Sequence, residues 1–550
     1  MTNAINNNFI ENKPLKVFFL LLFLGLLTYS NAIFHPFVHD DVAFIQHNPQ
    51  IRDLNLSDIF TRKADFGDGH SIVNSYYRPL LEVFNRIQYA VFGLNASGYH
   101  LVNIVLHVIN GFLVFSLLNV ILNGQRRISL AVAVLFLVHP LQTESVAYIS
   151  GISDLIFTLF CLLSFLCYLR SKYVLALSVF FVSLFAKEHS AILPFLIVFY
   201  ESILGRDRKK NLPILGYFAV IGLYFLLRKV LLAQSVGSIF VFDTELTLRL
   251  LAIPKILLIY IGLLIWPTDL HFYRNIDILH SSYTAAAVFA VMAISIIFLI
   301  RILPAEKHKT LIFSLGWFVV VLLPTINIIP LILEFSHIFV AEHFLYLPSI
   351  GFFLFVIMVA QHFLRNVRLG YVGMIFAAVC LCLMTATIRQ NTFYRTETSL
   401  FEQTIRHEPH FGRGHYLLAR AYYFSGQVDK AITHFQKALV INQSYVDQIK
   451  NTNIKGFYLN NMKNIYFDLA HCYEYFGDFQ SSLKQYTKAL AISPRDTILH
   501  NNIGVNYMKL KDLSKAIEHF QQAAALDSTN VMAVRNLQNA KMQLNATVIP

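Results

Sequence analysis

The feature that most constrains this chain is a series of long hydrophobic segments, which fills almost everything before about residue 390. The 550 residues are 56% hydrophobic and only 14% charged, more apolar surface than a water-soluble protein can bury. A helix needs about 20 apolar residues to cross a bilayer. The candidate helices are roughly 15–33, 99–122, 128–142, 152–169, 173–187, 190–204, 211–229, 246–266, 283–303, 310–330, 343–364 and 369–388. The sequence therefore predicts a polytopic, all-α membrane domain over residues 1–390 and a polar domain over residues 391–550.

Basic residues in the short loops between these segments predict their orientation. Lysine and arginine keep loops on the cytoplasmic side, and a basic stretch before the first segment predicts a retained helix with a cytoplasmic N-terminus. Segment 246–266 carries Arg249, Pro254 and Lys255, so we expect it not to cross fully. Eleven spans then place the C-terminus outside, whereas twelve would place it in the cytoplasm. The net charge of +12 thus indicates topology rather than nucleic-acid binding.

The polar tail repeats itself with a period of 34 residues, the distance that separates Tyr486 from its counterpart Phe520. This period is typical of the tetratricopeptide helix-turn-helix repeat. An earlier unit contains Phe435, an insertion near 441–459 follows it, and Phe401 marks a half repeat upstream. A half repeat and three repeats predict an α-solenoid whose concave face binds a peptide or protein. The alternative is an array that only scaffolds or oligomerises the protein.

Paired carboxylates and an arginine lie just beyond the first hydrophobic segment. Asp40 and Asp41 suit a general base, and Arg78 suits the phosphate of a lipid-linked substrate because its planar guanidinium matches phosphate oxygens. We expect one aspartate to face an acceptor and the other to brace the loop. Pro79 predicts a helix that starts just after Arg78, and Tyr77 is a supporting residue. The alternatives are that the aspartates only cap the following helix and that Arg78 only reaches lipid headgroups.

Further ionisable residues lie at segment ends predicted to share that outer face. They are His139, Glu144, Asp154, Lys187, Glu188, Glu342 and His343. We predict that Lys187 and His343 join Arg78 in contacting a donor phosphate, while the others support the acceptor or the site. Lys187 pairing with Glu188 is an equally open interpretation. Hard oxygen ligands suit a divalent metal, magnesium or manganese, but no spacing is diagnostic, so the cofactor stays open.

The order of these motifs resembles a known family. It runs through Asp40-Asp41, Tyr77-Arg78-Pro79-Leu80, His100-Leu101-Val102-Asn103, His139-Pro140, Lys187-Glu188 and Leu345-Tyr346-Leu347-Pro348-Ser349 to the repeats, and is similar to the transmembrane and tetratricopeptide repeat-containing O-mannosyltransferases. The resemblance implies a GT-C glycosyltransferase that takes sugar from a polyprenyl phosphate on the luminal or periplasmic face. That family usually has Glu-Arg where this chain has Glu342-His343, so a second arginine contact to phosphate does not carry over.

The sequence and the resemblance together predict an inverting membrane glycosyltransferase. It would move a sugar, mannose by resemblance alone, from a polyprenyl-phosphate donor in the membrane lipid to a hydroxyl of a protein acceptor that the repeats present. Alternatives are transfer to a lipid or cell-envelope glycan, or a non-enzymatic scaffold or transporter with partner-recruiting repeats. Short loops favour a bacterial inner membrane over the endoplasmic reticulum, with the site and repeats on the periplasmic or luminal side.

Overall fold

A computed structural model of the protein describes residues 14–53, 59, 77–205, 211–231, 246–276, 282–326, 338–449 and 452–548. The chain divides into two compact units, Met1–Leu400 and Phe401–Pro550. The first unit includes the short 3-10 turn Thr392–Arg395, which packs on the last hydrophobic helix. The assignment of functional domains to residues 1–390 and 391–550 stays a prediction.

Each of the twelve predicted hydrophobic segments contains a helix. The first unit has α1 Pro14–Tyr29, α2 Pro79–Phe92, α3 Ala96–Ile121, α4 Arg126–Val138, α5 Thr143–Val146, α6 Ile152–Leu169, α7 Tyr173–Leu184, α8 Leu193–Ile203, α9 Asn211–Leu231, α10 Leu246–Ile265, α11 Ser282–Ile302, α12 Ala305–Leu322, α13 Ser349–Phe363, α14 Leu369–Asn391 and α15 Glu397–His407, which runs into the second unit. Two short strands, β1 Arg274–Ile276 and β2 Ile338–Val340, pair antiparallel with Arg274 opposite Val340. Apart from this small sheet, the all-α prediction is confirmed.

Fewer helices than predicted are long enough to cross a bilayer. Among the described residues, seven helices are sufficiently long and apolar, and an eighth span results if α4 and the bent segment Pro140–Val146 count as one. Two further apolar helices, Tyr173–Leu184 and Ser349–Phe363, are shorter than a full span, so the count of eleven or twelve full spans stays a prediction. The physical reason for short helices is interruption: Pro140 bends the chain by 54°, and a 3-10 turn at Glu188–Ile192 separates α7 from α8.

Burial separates helices that form the core of the first unit from helices that face outward. The apolar window that contains α6 is 78% buried, whereas the windows of α11 and α14 are 0% and 6% buried. Water would penalise two such exposed apolar helices heavily, while lipid tails would not. The first unit is therefore a membrane-embedded body with α6 near its centre.

Helix α3 holds an irregular stretch of chain next to α6 through its polar face. It packs against α1, α4 and α6. The amide nitrogen Nδ2 of Asn103 lies 3.4 Å from the carbonyl oxygen of Val146 and 3.2 Å from those of Tyr148 and Ile149. The Tyr148 and Ile149 carbonyls also accept hydrogen bonds from the amides of Gly151 and Ile152 within the turn. Asn103 adds a side-chain donor to these buried backbone groups and so ties the turn to α3.

Two more polar residues of α3, His107 and Asn110, lie one and two turns further along the helix and contact the Tyr346 hydroxyl. The Nδ1 atom of His107 lies 2.7 Å from the Tyr346 hydroxyl, and its Nε2 lies 3.1 Å from the carbonyl oxygen of Leu137. Asn110 donates to the Leu155 carbonyl at 2.9 Å and to the Tyr346 hydroxyl at 3.3 Å. One face of α3 therefore ties together three stretches that are distant in sequence.

The second unit is a stack of helix pairs. It contains α16 Gly412–Phe424, α17 Val428–Gln448, α18 Thr452–Tyr475, α19 Phe479–Ile492, α20 Thr497–Lys509, α21 Leu513–Leu526 and α22 Val531–Val548. Helices pack in sequence order, and Tyr486 and Phe520 are fully buried at equivalent positions. The described part of the insertion near 441–459 is largely helical and forms the end of α17 and the start of α18. This is the architecture expected of a short solenoid.

Gly351 offers a test of the packing between α12 and α13. A Cβ atom there would lie 2.5 Å from the carbonyl oxygen of Ser314 and 2.9 Å from the backbone nitrogen of Phe318. We expect Gly351→Ala to destabilise the first unit by about 2 kcal/mol because the helices must separate. Gly373→Ala in α14, where a Cβ meets nothing within 4 Å, is the matched control and should be neutral or slightly stabilising. Thermal unfolding in detergent measures both; equal melting temperatures would contradict the tight packing.

Candidate functional site

The two adjacent aspartates occupy very different environments. Asp41 is buried, and its carboxylate accepts hydrogen bonds from the Val38 amide at 3.2 Å and from the Ser150 amide and hydroxyl at 2.8 and 2.5 Å. Burial raises the pKa of Asp41 to about 7, although these hydrogen bonds act in the opposite direction. The Asp40 side chain is 43% exposed. Asp41 therefore braces the loop, while the carboxylate of Asp40 remains accessible.

Capping does not explain the pair. A π-helical turn, Val42–Gln46, begins directly after Asp41, yet the side chain of Asp41 makes no capping hydrogen bond to it. Its oxygens point back to Val38 and across to Ser150 instead. The capping alternative for Asp41 is therefore wrong.

His39 sets the direction of Asp40 and was missed as a site residue. Its φ angle of 53° places it in the left-handed region, which is uncommon for a residue other than glycine and often marks functional sites. Its amide donates to Glu397 at 3.0 Å, and its Nε2 lies 3.4 Å from both the Asp40 carboxylate and the Tyr273 hydroxyl. The amide of Asp40 donates to the Tyr148 hydroxyl at 3.1 Å. The only signal in the sequence was the position of His39 beside the pair.

Arg78 stands at the start of α2, where Pro79 begins the helix as predicted. Its Nε lies 3.4 Å from one carboxylate oxygen of Glu188, and Nη1 of Arg228 lies 3.6 Å from the other. Tyr77, just before, is buried with its ring edge against Phe185. Because all three charged side chains are about one fifth to one quarter exposed, the two guanidinium groups share one carboxylate at an accessible position.

Lys187 is paired with Asp154. Its Nζ lies 2.6 Å from Oδ1 of Asp154, and both side chains are almost completely buried. The alternative pairing with Glu188 is wrong. Lys187 has an extended backbone, so its side chain and that of the next residue point in different directions. The rings of Phe157 and Phe344 lie 5.6 and 5.9 Å from the ammonium group and exclude water around it.

Glu144 holds His343 by two contacts. It accepts a hydrogen bond from the His343 amide at 2.9 Å, and its other oxygen lies 2.7 Å from Nδ1 of the ring. The neighbouring Glu342 is buried and accepts from the His271 amide at 2.5 Å. Burial, reinforced by the Glu144 carboxylate, raises the pKa of Glu342 well above its ordinary value.

His139 stands apart from this group. Its Nδ1 accepts a hydrogen bond from the Leu141 amide at 3.2 Å, and its Nε2 lies 3.1 Å from the carbonyl oxygen of Leu264. One ring nitrogen is therefore used in the bend at Pro140 and the other against α10. The structure does not bring His139 together with the other predicted residues.

A single short stretch, Glu144 to Asp154, connects the remaining residues; we call it the site segment. Its side chains reach four partners: Glu144 reaches His343, Tyr148 reaches Asp40, Ser150 reaches Asp41 and Asp154 reaches Lys187. Gly151 allows its tight path, because a Cβ there would lie 2.6 Å from the carbonyl oxygen of Glu144. The site segment thus contacts the aspartate pair as well as Lys187 and His343, while Arg78 and Glu188 pair with each other outside it.

A small cavity of about 10 Å³, room for about one water molecule, lies beside Asp154 at one end of the site segment. Its polar lining comes from Asp154, Lys187, His189, Thr325 and His343, and its apolar lining includes Phe344. His189 is a second residue that sequence reasoning missed, because a histidine between a charged dipeptide and a hydrophobic segment carries no distinctive signal. The predicted carboxylates each face a donor or cation of this chain, so the magnesium or manganese prediction stays a prediction.

Comparison with family models confirms the repeats. Models described as tetratricopeptide repeat match residues 412–445, 464–496 and 498–530. The solved structure titled "Crystal structure of APC/C hetero-tetramer Cut9-Hcn1" covers 84% of this chain and 96% of its own, at 12% identity and a TM-score of 0.24. That overlap is too loose to bear on the fold.

Comparison with curated proteins confirms the resemblance to the O-mannosyltransferases. The chain is 24% identical over 79% of its length to "Protein O-mannosyl-transferase F38B6.6" of Caenorhabditis elegans and covers 64% of that protein. It is 24% identical over 92% of its length to "Protein O-mannosyl-transferase TMTC3" of Homo sapiens and covers 55% of it. The chain thus spans about half to two thirds of the length of these relatives. Both come from animals, so they give no support to a bacterial inner membrane.

The roles of the two aspartates can be separated by stability. We expect Asp41→Ala to lower the free energy of unfolding by about 1–3 kcal/mol, because the amides of Val38 and Ser150 lose a buried acceptor. Asp40→Ala should change it by about 0.5 kcal/mol or less, since that side chain is exposed. Thermal unfolding in detergent compares the two variants. Equal losses would contradict the bracing role of Asp41.

The buried ion pair predicts a non-additive pair of substitutions. Asp154→Leu alone should destabilise the first unit by about 3–5 kcal/mol, because it leaves the Lys187 ammonium buried without its counter-charge. Lys187→Met alone should cost a similar amount. The double variant should recover most of the lost stability, which thermal unfolding would show as a coupling between the two sites. Additive losses would show that the two charges do not depend on each other.

Proposed function

We propose that this protein is a membrane glycosyltransferase that moves a sugar from a polyprenyl-phosphate donor to a hydroxyl group of a protein. The observation that supports it best is the site segment, which contacts both the loop that carries the accessible Asp40 carboxylate and the Lys187 ammonium group. Sugar transfer from a phosphate needs both: a base for the acceptor hydroxyl and positive charge for the departing phosphate. The printed names of the relatives suggest mannose as the sugar.

Asp40 is the proposed base, and Asp41 positions it. Asp40 is accessible to an acceptor, whereas Asp41 spends both oxygens on hydrogen bonds within the protein. His39 and Tyr148 orient Asp40 by contacts to its carboxylate and its amide. A base held in this way is ready to receive a proton without rearrangement of the loop.

Arg78 and Lys187 are the proposed phosphate-binding residues, with His343 beside them. Arg78 and Arg228 both contact the carboxylate of Glu188, and their side chains are partly exposed. Arg78 sits before the first turn of α2, where the positive end of the helix dipole also favours an anion. The carboxylates of Glu188, Asp154 and Glu144 would hold these cations in place, while Tyr77 and Glu342 would support the walls of the site.

The reaction is then a single displacement. The acceptor oxygen bonds to C1 of the sugar as the bond from C1 to the phosphate oxygen breaks, and the electron pair of that bond stays on the phosphate. The hydroxyl proton passes to the Asp40 carboxylate. One displacement inverts the configuration at C1, and Arg78 and Lys187 stabilise the charge that grows on the phosphate.

The repeats are the proposed binding surface for the protein acceptor, on the same luminal or external side as the site. A lipid or envelope glycan in place of the protein acceptor is the second candidate within the same chemistry. A scaffold or transporter function would give no role to the accessible Asp40 carboxylate or to Arg78 and Arg228.

Release of sugar from polyprenyl-phosphate-mannose and from polyprenyl-phosphate-glucose by purified protein, with a hydroxyl-bearing peptide, tests the proposal. We expect Asp40→Asn to reduce turnover at least about 100-fold because the base is lost, and Arg78→Ala chiefly to weaken donor binding. Asp41→Asn should retain more activity than Asp40→Asn, since its amide oxygen still accepts from Ser150.

Two controls accompany this assay. Glu306→Gln and Arg365→Ala alter exposed charges away from the site and should leave turnover unchanged. The absence of donor binding by wild-type protein, or turnover by Asp40→Asn equal to that of wild type, would reject the transferase.

A further inference from the structure

The imidazole of His189 has an unusual position in the cavity. Its ring is stacked on Phe344 at a centroid distance of 6.0 Å, and both ring nitrogens are buried. Neither nitrogen has a hydrogen-bond partner among the described residues. Leaving both polar atoms of a buried imidazole unpaired costs about 1–3 kcal/mol each, so the fold does not gain stability from this side chain.

The surroundings of His189 favour an anion. Lys187 and His343 line the same cavity, and Arg78 is close enough to act on the ring electrostatically. Burial, with help from these three neighbours, lowers the pKa of His189 well below its ordinary value. The imidazole is therefore neutral at physiological pH and offers one N–H donor beside the Lys187–Asp154 ion pair, which lines the same cavity.

We propose that His189 is a phosphate-binding residue that donates a hydrogen bond to the phosphate of the lipid-linked donor and binds the departing phosphate more strongly than the intact donor. This inference rests on the proposed function for its substrate. The donor is a phosphodiester with one negative charge, while the product is a monoester with a charge of about −1.5 to −2. The hydrogen bond from the rigidly stacked His189 ring becomes stronger as the charge on the phosphate grows. It therefore lowers the barrier to sugar transfer rather than only tightening the binding of the sugar donor.

Two substitutions separate hydrogen bonding from packing. His189→Phe preserves the ring stacked on Phe344 and removes both nitrogens, whereas His189→Gln restores an N–H donor. We expect His189→Phe to weaken binding of polyprenyl phosphate at least about tenfold and to lower kcat about 100-fold, with a smaller change in the donor KM. His189→Gln should recover most of both. His362→Phe, on the far end of α13, is the control and should match wild type.

The measurement is equilibrium binding of polyprenyl phosphate to full-length protein in nanodiscs, beside the kinetics of sugar transfer. Wild-type affinity in His189→Phe, with sugar transfer intact, would overturn this inference and leave the proposed function standing. Absence of sugar transfer by every form, with tenfold weaker binding in His189→Phe, would reject the proposed function and support His189 as a binder of lipid phosphate.

Competition with inorganic phosphate identifies the source of the phosphate group. Displacement of polyprenyl phosphate only by a large excess of inorganic phosphate supports a lipid-linked ligand. Equal displacement at equal concentration would overturn that assignment. Failure of His189→Gln to recover binding, with both variants folded as judged by thermal unfolding, would overturn the hydrogen-bond role, because packing alone would then explain the loss.

Discussion

The site depends on how the buried carbonyl groups of the turn between α5 and α6 are satisfied. Backbone polar groups buried in a membrane domain need partners within the protein. The amides of Gly151 and Ile152 donate to the carbonyls of Tyr148 and Ile149, and the side-chain amide of Asn103 contacts both of these carbonyls and that of Val146. Asn103 thereby helps to hold the turn in which Tyr148 and Ser150 reach the aspartate pair.

The charges of the site follow a second rule, that a buried charge needs a counter-charge. Lys187 has Asp154 as its counter-charge, and both side chains are almost completely buried. The arginines differ, because two of them contact Glu188 in a partly exposed position. The buried pair fixes the position of the ammonium group beside the cavity, while the arginine side chains remain partly accessible. The ring nitrogens of His189 have no hydrogen-bond partner among the described residues, so this side chain belongs with the groups available for binding.

Much of the fold could be predicted because hydrophobic length and the 34-residue period are local properties of the sequence. The helices at all twelve segments, the start of α2 at Pro79 and the repeats were predicted in this way. The lengths of some helices were not, since Pro140 and the turn after Lys187 shorten helices that composition alone would extend. The charged residues of the site were identified as candidates, but their pairing was not: Lys187 meets Asp154, which lies 33 residues upstream, rather than its neighbour Glu188.

The sequence by itself determined the two kinds of solvent that the chain meets, the helical class of both units and the residue types that carry the chemistry, because each of these follows from composition and periodicity over a few turns. Only the tertiary structure decided which aspartate is buried, that His39 adopts a left-handed backbone, and that His139 serves the bend while His189 faces the cavity. The reason is physical. Burial, pairing and pKa depend on side chains that meet across the bundle, and no local pattern specifies which distant residue will fill that space.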